Sequence, residues 1–408
     1  MDRKRILLII GFIISVGVFG WLLYYFFFRA LPGTVPTNGV NGNGTLPIPT
    51  NGNIGVIGNQ SRNVNLPSFG NNIDITAPTD IARGGLTKVQ DIITNPVENF
   101  VSNGSGTVFY NPSTAQFYRL ADGKQTVLSD RKFTGVEKAT WSKDQSKAIL
   151  EFPDGSNVVY NFKTNTQITL PKEMTEFSFD GSGGSIAVKW IGDTKEDNWL
   201  MVGDADGSNF RLIEPLGDQS TNVQVGYSPD SQVVAVVRRP IDADRQEVLP
   251  IGALGQNFKS FTIEGLKFES AWAPAGNTLL YNISTAANNY NPELWLTSGS
   301  TATLGSSHLD LKLHTWASKC TFDATGNSVY CAEPTSLPTG TGLYPELADG
   351  IPDAFFRIDL RTGQKIPLAL PVGSQLLYSA KSVQLSPDES QLYFVDSVTN
   401  QVHSIRLK

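Results

Sequence analysis

One degenerate pattern recurs along the chain and limits what it can fold into. It runs aromatic or apolar residue, then Ser, Ala or Thr, then any residue, then Asp or a substitute, followed by a small polar turn and an apolar run. Clear copies are Trp141-Ser142-Lys143-Asp144, Phe177-Ser178-Phe179-Asp180, Tyr227-Ser228-Pro229-Asp230, Trp272-Ala273-Pro274-Ala275, Cys320-Thr321-Phe322-Asp323 and Leu385-Ser386-Pro387-Asp388. A β-rich segment follows each, at 148–152, 186–190, 233–237, 279–283, 329–332 and 392–395. Pro fixes φ, and Asp or Ser can bond to nearby backbone, so each copy reads as a tight turn between two strands. A third strand and another turn follow, as at 198–215 and 354–368, which makes a unit of four strands. The spacings run from 36 residues, Trp141 to Phe177, to 65, Cys320 to Leu385. They scatter around the length of a four-stranded propeller blade.

A degraded seventh copy lies at 100–104, ahead of strand-like segments at 106–111, 116–120 and 125–128. The last unit has only three strands, at 382–385, 391–395 and 401–407, while residues 86–93 form an orphan strand before the first unit. Pairing the two would close the ring and remove a free sheet edge. The expected fold is therefore all-β, a seven-bladed β-propeller over residues 85–408. The W-S-x-D, Y-S-P-D and L-S-P-D turns, with VGDADGSNFRLIEP at 202–215, resemble the WD40-like PD40 repeats of TolB-type propellers over about residues 95–408. The resemblance implies a fold and says little about chemistry. Ala275 and Gly104 depart from it at the Asp position, and Cys320 at the aromatic one.

Residues 6–28 carry no charge. As a helix they would span roughly 35 Å, enough for a bilayer core. Asp2-Arg3-Lys4-Arg5 precedes them, so the positive-inside rule places the N-terminus in the cytoplasm. The expected organisation is a cytoplasmic stub and transmembrane helix over 1–29, a disordered Asn/Gly/Pro-rich linker over 30–84, and an extracytoplasmic propeller on a single-pass protein of the cell membrane. The linker has too few large apolar side chains to repay the entropy of ordering it.

A net charge of −6 with Lys and Arg scattered excludes the electrostatic footprint of nucleic-acid binding. Three His and two Cys leave no His/Cys metal cluster, and neither a G-x-S-x-G elbow nor a P-loop occurs. No catalytic residue, metal or cofactor is expected, and the chain is expected not to be an enzyme. Pairing Phe322 with Val329 would set Cys320 opposite Cys331, within reach of a cross-strand disulfide, with two reduced buried thiols as the alternative.

The turns between strands one and two and between three and four should share a tight face, with the connections from strand two to three on the other. Long excursions of the second kind fall at 191–197, 239–248, 285–292 and 333–353. Loops carry recognition, so binding is expected on that face, with Arg238, Arg239, Arg245, Tyr290, Tyr344 and Glu346 as contacts. The expected function is a protein-binding or scaffold module of the cell envelope, with another envelope protein as partner. The alternative is a propeller enzyme, or a glycan or small-ligand binder, with its site in the central channel or on the long-loop face.

Overall fold

The computed structural model describes Val18, Trp21 and residues 77–408 apart from Asn257, Ala275, Ser300, Thr301, Ala302 and Leu376. The chain divides into two units, 1–63 and 64–408, and among the described residues every strand belongs to the second. Five four-stranded antiparallel meanders follow one another, at 98–127, 138–170, 174–215, 223–264 and 266–310. Within each blade the second strand is almost wholly buried, as in Gly106–Asn111 and Ser185–Trp190, because neighbouring blades cover both of its faces. The fourth strands Lys124–Val127 and Thr166–Leu170 are mostly exposed. This explains the sequence pattern, apolar runs on second strands and polar residues on outer ones. Between the first two blades Phe117 meets Phe133, Trp141 and Phe162, each with ring centroids within 5.5 Å.

The signature Asp residues do the work of the turn. Asp144 accepts from the hydroxyls of Ser142 and Ser146, both at 2.8 Å, and Asp388 from those of Ser386 at 2.6 Å and Ser390 at 2.9 Å. Asp180, Asp230 and Asp323 each accept one hydroxyl and at least one backbone N–H in the same way. The Ser386 and Ser390 hydroxyls and the Ser390 amide hold the Asp388 carboxyl at about 2. At Asp144 and Asp180 burial opposes ionisation, but the hydrogen bonds from Ser146 and Ser142, and from Ser182, outweigh it and keep both carboxyls below the usual carboxylate range. An unfolded Asp titrates near about 3.9, so this stabilisation is complete above that pH and is lost as pH falls toward the folded value. Urea unfolding midpoints are expected to drop between pH 4 and about pH 2. Asp388→Asn should flatten part of that acid limb, and an unchanged limb would clear the turn carboxyl of the effect.

Two expectations about architecture are corrected. The ring is not seven separate blades. There are five four-stranded blades, and the remaining strands form one eight-stranded sheet in the order Cys320–Phe322, Ser328–Pro334, Asp353–Asp359, Gln364–Val372, Gly85–Ile93, Val402–Arg406, Gln391–Asp396, Ala380–Leu385. The cause is the strand Gly85–Ile93. It pairs in parallel with Gln364–Val372 over Gly85–Lys88, then antiparallel with Val402–Arg406 over Val89–Ile93. Nine extended residues reach about 30 Å, enough to serve both neighbours. Residues 77–84 pack against the same seam: Ala82 N–H donates to Arg406 O and Gly84 N–H to Leu368 O, both at 2.8 Å.

The membrane anchor is the second correction. Residues 6–28 lie outside the described residues except for Val18 and Trp21, and among the described residues no helix is long and apolar enough to cross a membrane. The expectation of a single-pass protein of the cell membrane, with an extracytoplasmic propeller, therefore has no support. Residues 30–76 of the expected linker also lie outside the described residues.

Cys320 and Cys331 are register partners on adjacent strands and are joined in a disulfide.

Candidate functional site

The connections from strand two to three gather on one face, called here the wide face. They are less uniform than the sequence suggests. Most of the 239–248 excursion is strand, because Val233–Pro240 and Arg245–Gly252 continue their ladder to Pro240↔Gln246. The connections 191–198, 285–291 and 335–352 remain long.

Where the fourth and fifth blades meet on this face, a cleft of about 650 Å³ opens. Its floor is the shortest crossing between blades. Phe261–Glu264 ends blade four and Leu266–Trp272 begins blade five, with Gly265 alone between them. Gly265 has φ +148, and a Cβ there would lie 2.8 Å from the Ile283 Cβ, so the crossing admits no side chain. One wall is a single face of blade five. Tyr281 is the cross-strand partner of Trp295, and Ile283 of Glu293, so all four side chains point the same way. Tyr281 Oη lies 2.8 Å from His308 Nδ1. Burial pushes the Tyr281 phenol up and the His308 imidazole down, so both are uncharged near neutral pH.

The rim is the 285–291 connection. Asn289 and Tyr290 lie consecutively in the left-handed region, at φ 53 and 54, a costly conformation for an aromatic residue. Tyr290 N–H donates to Thr285 O at 2.8 Å, and the Tyr290 carbonyl accepts Gly342 N–H at 2.8 Å. Gly340 N–H donates to Asn289 O at 2.8 Å. The connection 335–352 thus straps the rim in place. Only glycine fits at 342, where a Cβ would come within 2.8 Å of the Tyr290 carbonyl oxygen. Asp244, Glu264 and Glu293 add three carboxylates to the lining.

The other expected contacts disperse. Arg238 is held inside the ring by three carbonyls, donating to Thr221 O at 2.9 Å, Phe268 O at 3.2 Å and Asn222 O at 3.3 Å. Arg239 is exposed on its strand opposite Glu247, and Arg245 Nε donates to Asp242 Oδ2 at 2.8 Å. Tyr344 is exposed on the strap. Glu346 lines a separate depression of about 410 Å³ with Glu269, Lys319 and Lys381. Tyr290 alone of the six lines the cleft.

A second cavity, of about 590 Å³, lies on the opposite, narrow face. The signature turns of all five blades and of both ends of the eight-stranded sheet line it, with Trp141, Phe179, Tyr227, Trp272 and Phe322 as its aromatic walls. Burial pushes the Tyr227 phenol up to about 12, and the Trp141 indole N–H is buried without a hydrogen-bond partner. Trp141, Tyr227 and Trp272 hold the aromatic position of the sequence repeat, whereas Phe179 and Phe322 stand at its unrestricted third position, and the convergence of all five on the axis follows only from the ring. Among the described residues no group of three or more His, Cys, Asp or Glu is placed to hold a metal ion.

Similar proteins agree on the fold alone. An oligogalacturonate lyase in complex with manganese superposes with a TM-score of 0.53 at 13% identity, over 78% of this chain and 93% of the lyase. The Cps50 (Swd1) β-propeller domain of Myceliophteria thermophila gives a TM-score of 0.53 at 10% identity, over 78% of this chain and 98% of that domain. A chain of the mitotic checkpoint complex gives 0.52 at 12% identity, over 86% and 98%. No family model matches. A curated relative, uncharacterized protein 317L of invertebrate iridescent virus 6, is 29% identical over 138 residues, which are 34% of this chain and 31% of the viral protein. The chain therefore spans about a third of the length of that relative. The expectation that the chain is not an enzyme is corrected here. One of the structures sharing its fold is a lyase, so neither a propeller nor the absence of short catalytic motifs argues against catalysis.

Proposed function

We propose that the chain is a recognition propeller that takes a protein partner on its wide face, at the cleft between the fourth and fifth blades. The observation that carries this reading is the strapped rim. Tyr290 is kept in a costly backbone conformation at the mouth of an aromatic-walled cleft by hydrogen bonds from a connection about 50 residues away in sequence. Strain that the surroundings maintain at a cavity mouth supports a binding role, since it removes ordering cost from the docked state. A photo-crosslinking residue at the exposed position Ala287 is expected to trap a discrete partner in the source cells, while one at Asn165, on the narrow face, does not. Trapping at Asn165 alone would overturn the assignment.

A second reading is favoured by the axial cavity, whose aromatic walls come from blades two to five and one end of the eight-stranded sheet. It is a binder of, or an enzyme acting on, a glycan or other small ligand, consistent with the lyase of the same fold. Loss of Trp272 would then abolish ligand binding and leave crosslinking at Ala287 untouched.

A further inference from the structure

We propose that the cleft between the fourth and fifth blades holds the basic side chain of a protein segment, a lysine or an arginine, with a backbone carbonyl of that segment facing the Trp295 indole. The proposal rests on the wide-face reading and adds the chemistry of the partner.

Three observations converge. The cleft carries three carboxylates, Asp244, Glu264 and Glu293, and among the described residues no Lys or Arg lines it. Arg245 and Lys312 lie in electrostatic range of Glu264 and Glu293 but give their hydrogen bonds to Asp242 and Asp310. Tyr290 and Trp295, both partly exposed, offer aromatic faces against which an ammonium or guanidinium is attracted. One polar group of the cleft wall also lacks a partner. The Trp295 indole N–H is buried without a hydrogen bond. An indole N–H is a donor only, so its requirement is an acceptor. A free amine has none to offer, whereas a peptide brings a carbonyl within a few ångströms of its basic side chain. Acid and aromatic walls alone would suit any organic cation. The orphaned donor narrows the class to a peptide.

The test uses the full chain and capped tripeptides, Ala-Arg-Ala and Ala-Lys-Ala, titrated by calorimetry against Ala-norleucine-Ala and against putrescine. The basic peptides are expected to bind, norleucine not at all, and putrescine about tenfold more weakly than the better peptide. Glu264→Gln with Glu293→Gln should cost roughly another tenfold while the unfolding midpoint stays within experimental scatter. Equal binding of the norleucine peptide, or carboxamide variants that bind unchanged, would overturn the proposal. Putrescine binding as tightly as the peptides would overturn its peptide part. Crosslinking at Ala287 that persists in the double carboxamide variant would sink this chemistry and leave the wide-face reading standing. Peptide binding without any crosslinked partner would do the reverse.

Discussion

Replacing Asp353 with alanine is expected to remove roughly 3–5 kcal/mol of stability, a large share of what holds any domain folded. Asp353 is 1% exposed and Lys319 7%. The Lys319 ammonium donates to both carboxylate oxygens, at 2.7 and 2.9 Å, and Oδ2 also accepts the Ala380 N–H at 2.6 Å. One carboxylate therefore ties together the entry to Cys320–Phe322, the start of Asp353–Asp359 and the start of Ala380–Leu385, the last two in opposite halves of the eight-stranded sheet. Truncation leaves a buried ammonium unpaired and a buried amide without an acceptor, and the first of these dominates because desolvating an ion costs far more than desolvating an amide. Replacing the pair together, Asp353→Leu with Lys319→Met, should recover most of the loss, since a buried ion pair gains little over well-packed apolar groups. Urea unfolding of the wild type, the single variant and the double variant decides this. A single variant within 1 kcal/mol of wild type would mean that water reaches the pair. Because the 335–352 strap ends at Asp353, the single variant should also weaken partner capture at Ala287 and the double variant should not.

What the sequence could reveal tracks how local each interaction is. The turn carboxylates were legible because Asp144, Asp180 and Asp388 bond to residues two to five positions away, and such bonds leave a spacing. The buried second strands were legible because burial on both faces writes an unbroken apolar run. Arg238 shows the opposite case. Its carbonyl acceptors lie up to 30 residues away, so a side chain that serves the ring looks from sequence like one offered to a partner. The cleft was missed except for Tyr290. Glu264, Tyr281, Glu293 and Trp295 occupy ordinary alternating strand positions, and alternation says which residues share a face without saying what that face meets. The inference from absent motifs to absent catalysis failed on the same ground, since a ring can bring together residues from separate blades that no short motif would register. The blade count depended on one long-range fact. Leu86 pairs with Leu370 while Val89 pairs with Ile405, and nothing near residues 85–93 signals two partners.

That dual pairing leads to the largest effect expected of any single change in the chain. Removing residues 85–93 should cost on the order of 5 kcal/mol or more, because four register positions are lost to Gln364–Val372 and four to Val402–Arg406, at roughly 0.5–1.5 kcal/mol for each hydrogen bond. Buried contacts go with them. Thr87 and Ile93 are 0% and 2% exposed, and His403, 0% exposed, reaches across the seam with Nδ1 2.9 Å from Asp91 Oδ1. The loss would be felt twice, since two inner strands become edges at once and an unpaired edge invites association with another chain. A chain begun at residue 95 is expected to expose amides of Val402–Arg406 and Gln364–Val372 to hydrogen exchange before those of the five four-stranded blades, and to self-associate. A synthetic peptide of residues 78–94, which adds the Thr79 bridge to Thr87, should restore protection in both strands when supplied in trans. Protection regained in Val402–Arg406 alone would show that the parallel half of the seam contributes nothing, and the eight-stranded sheet would then be held from one side only.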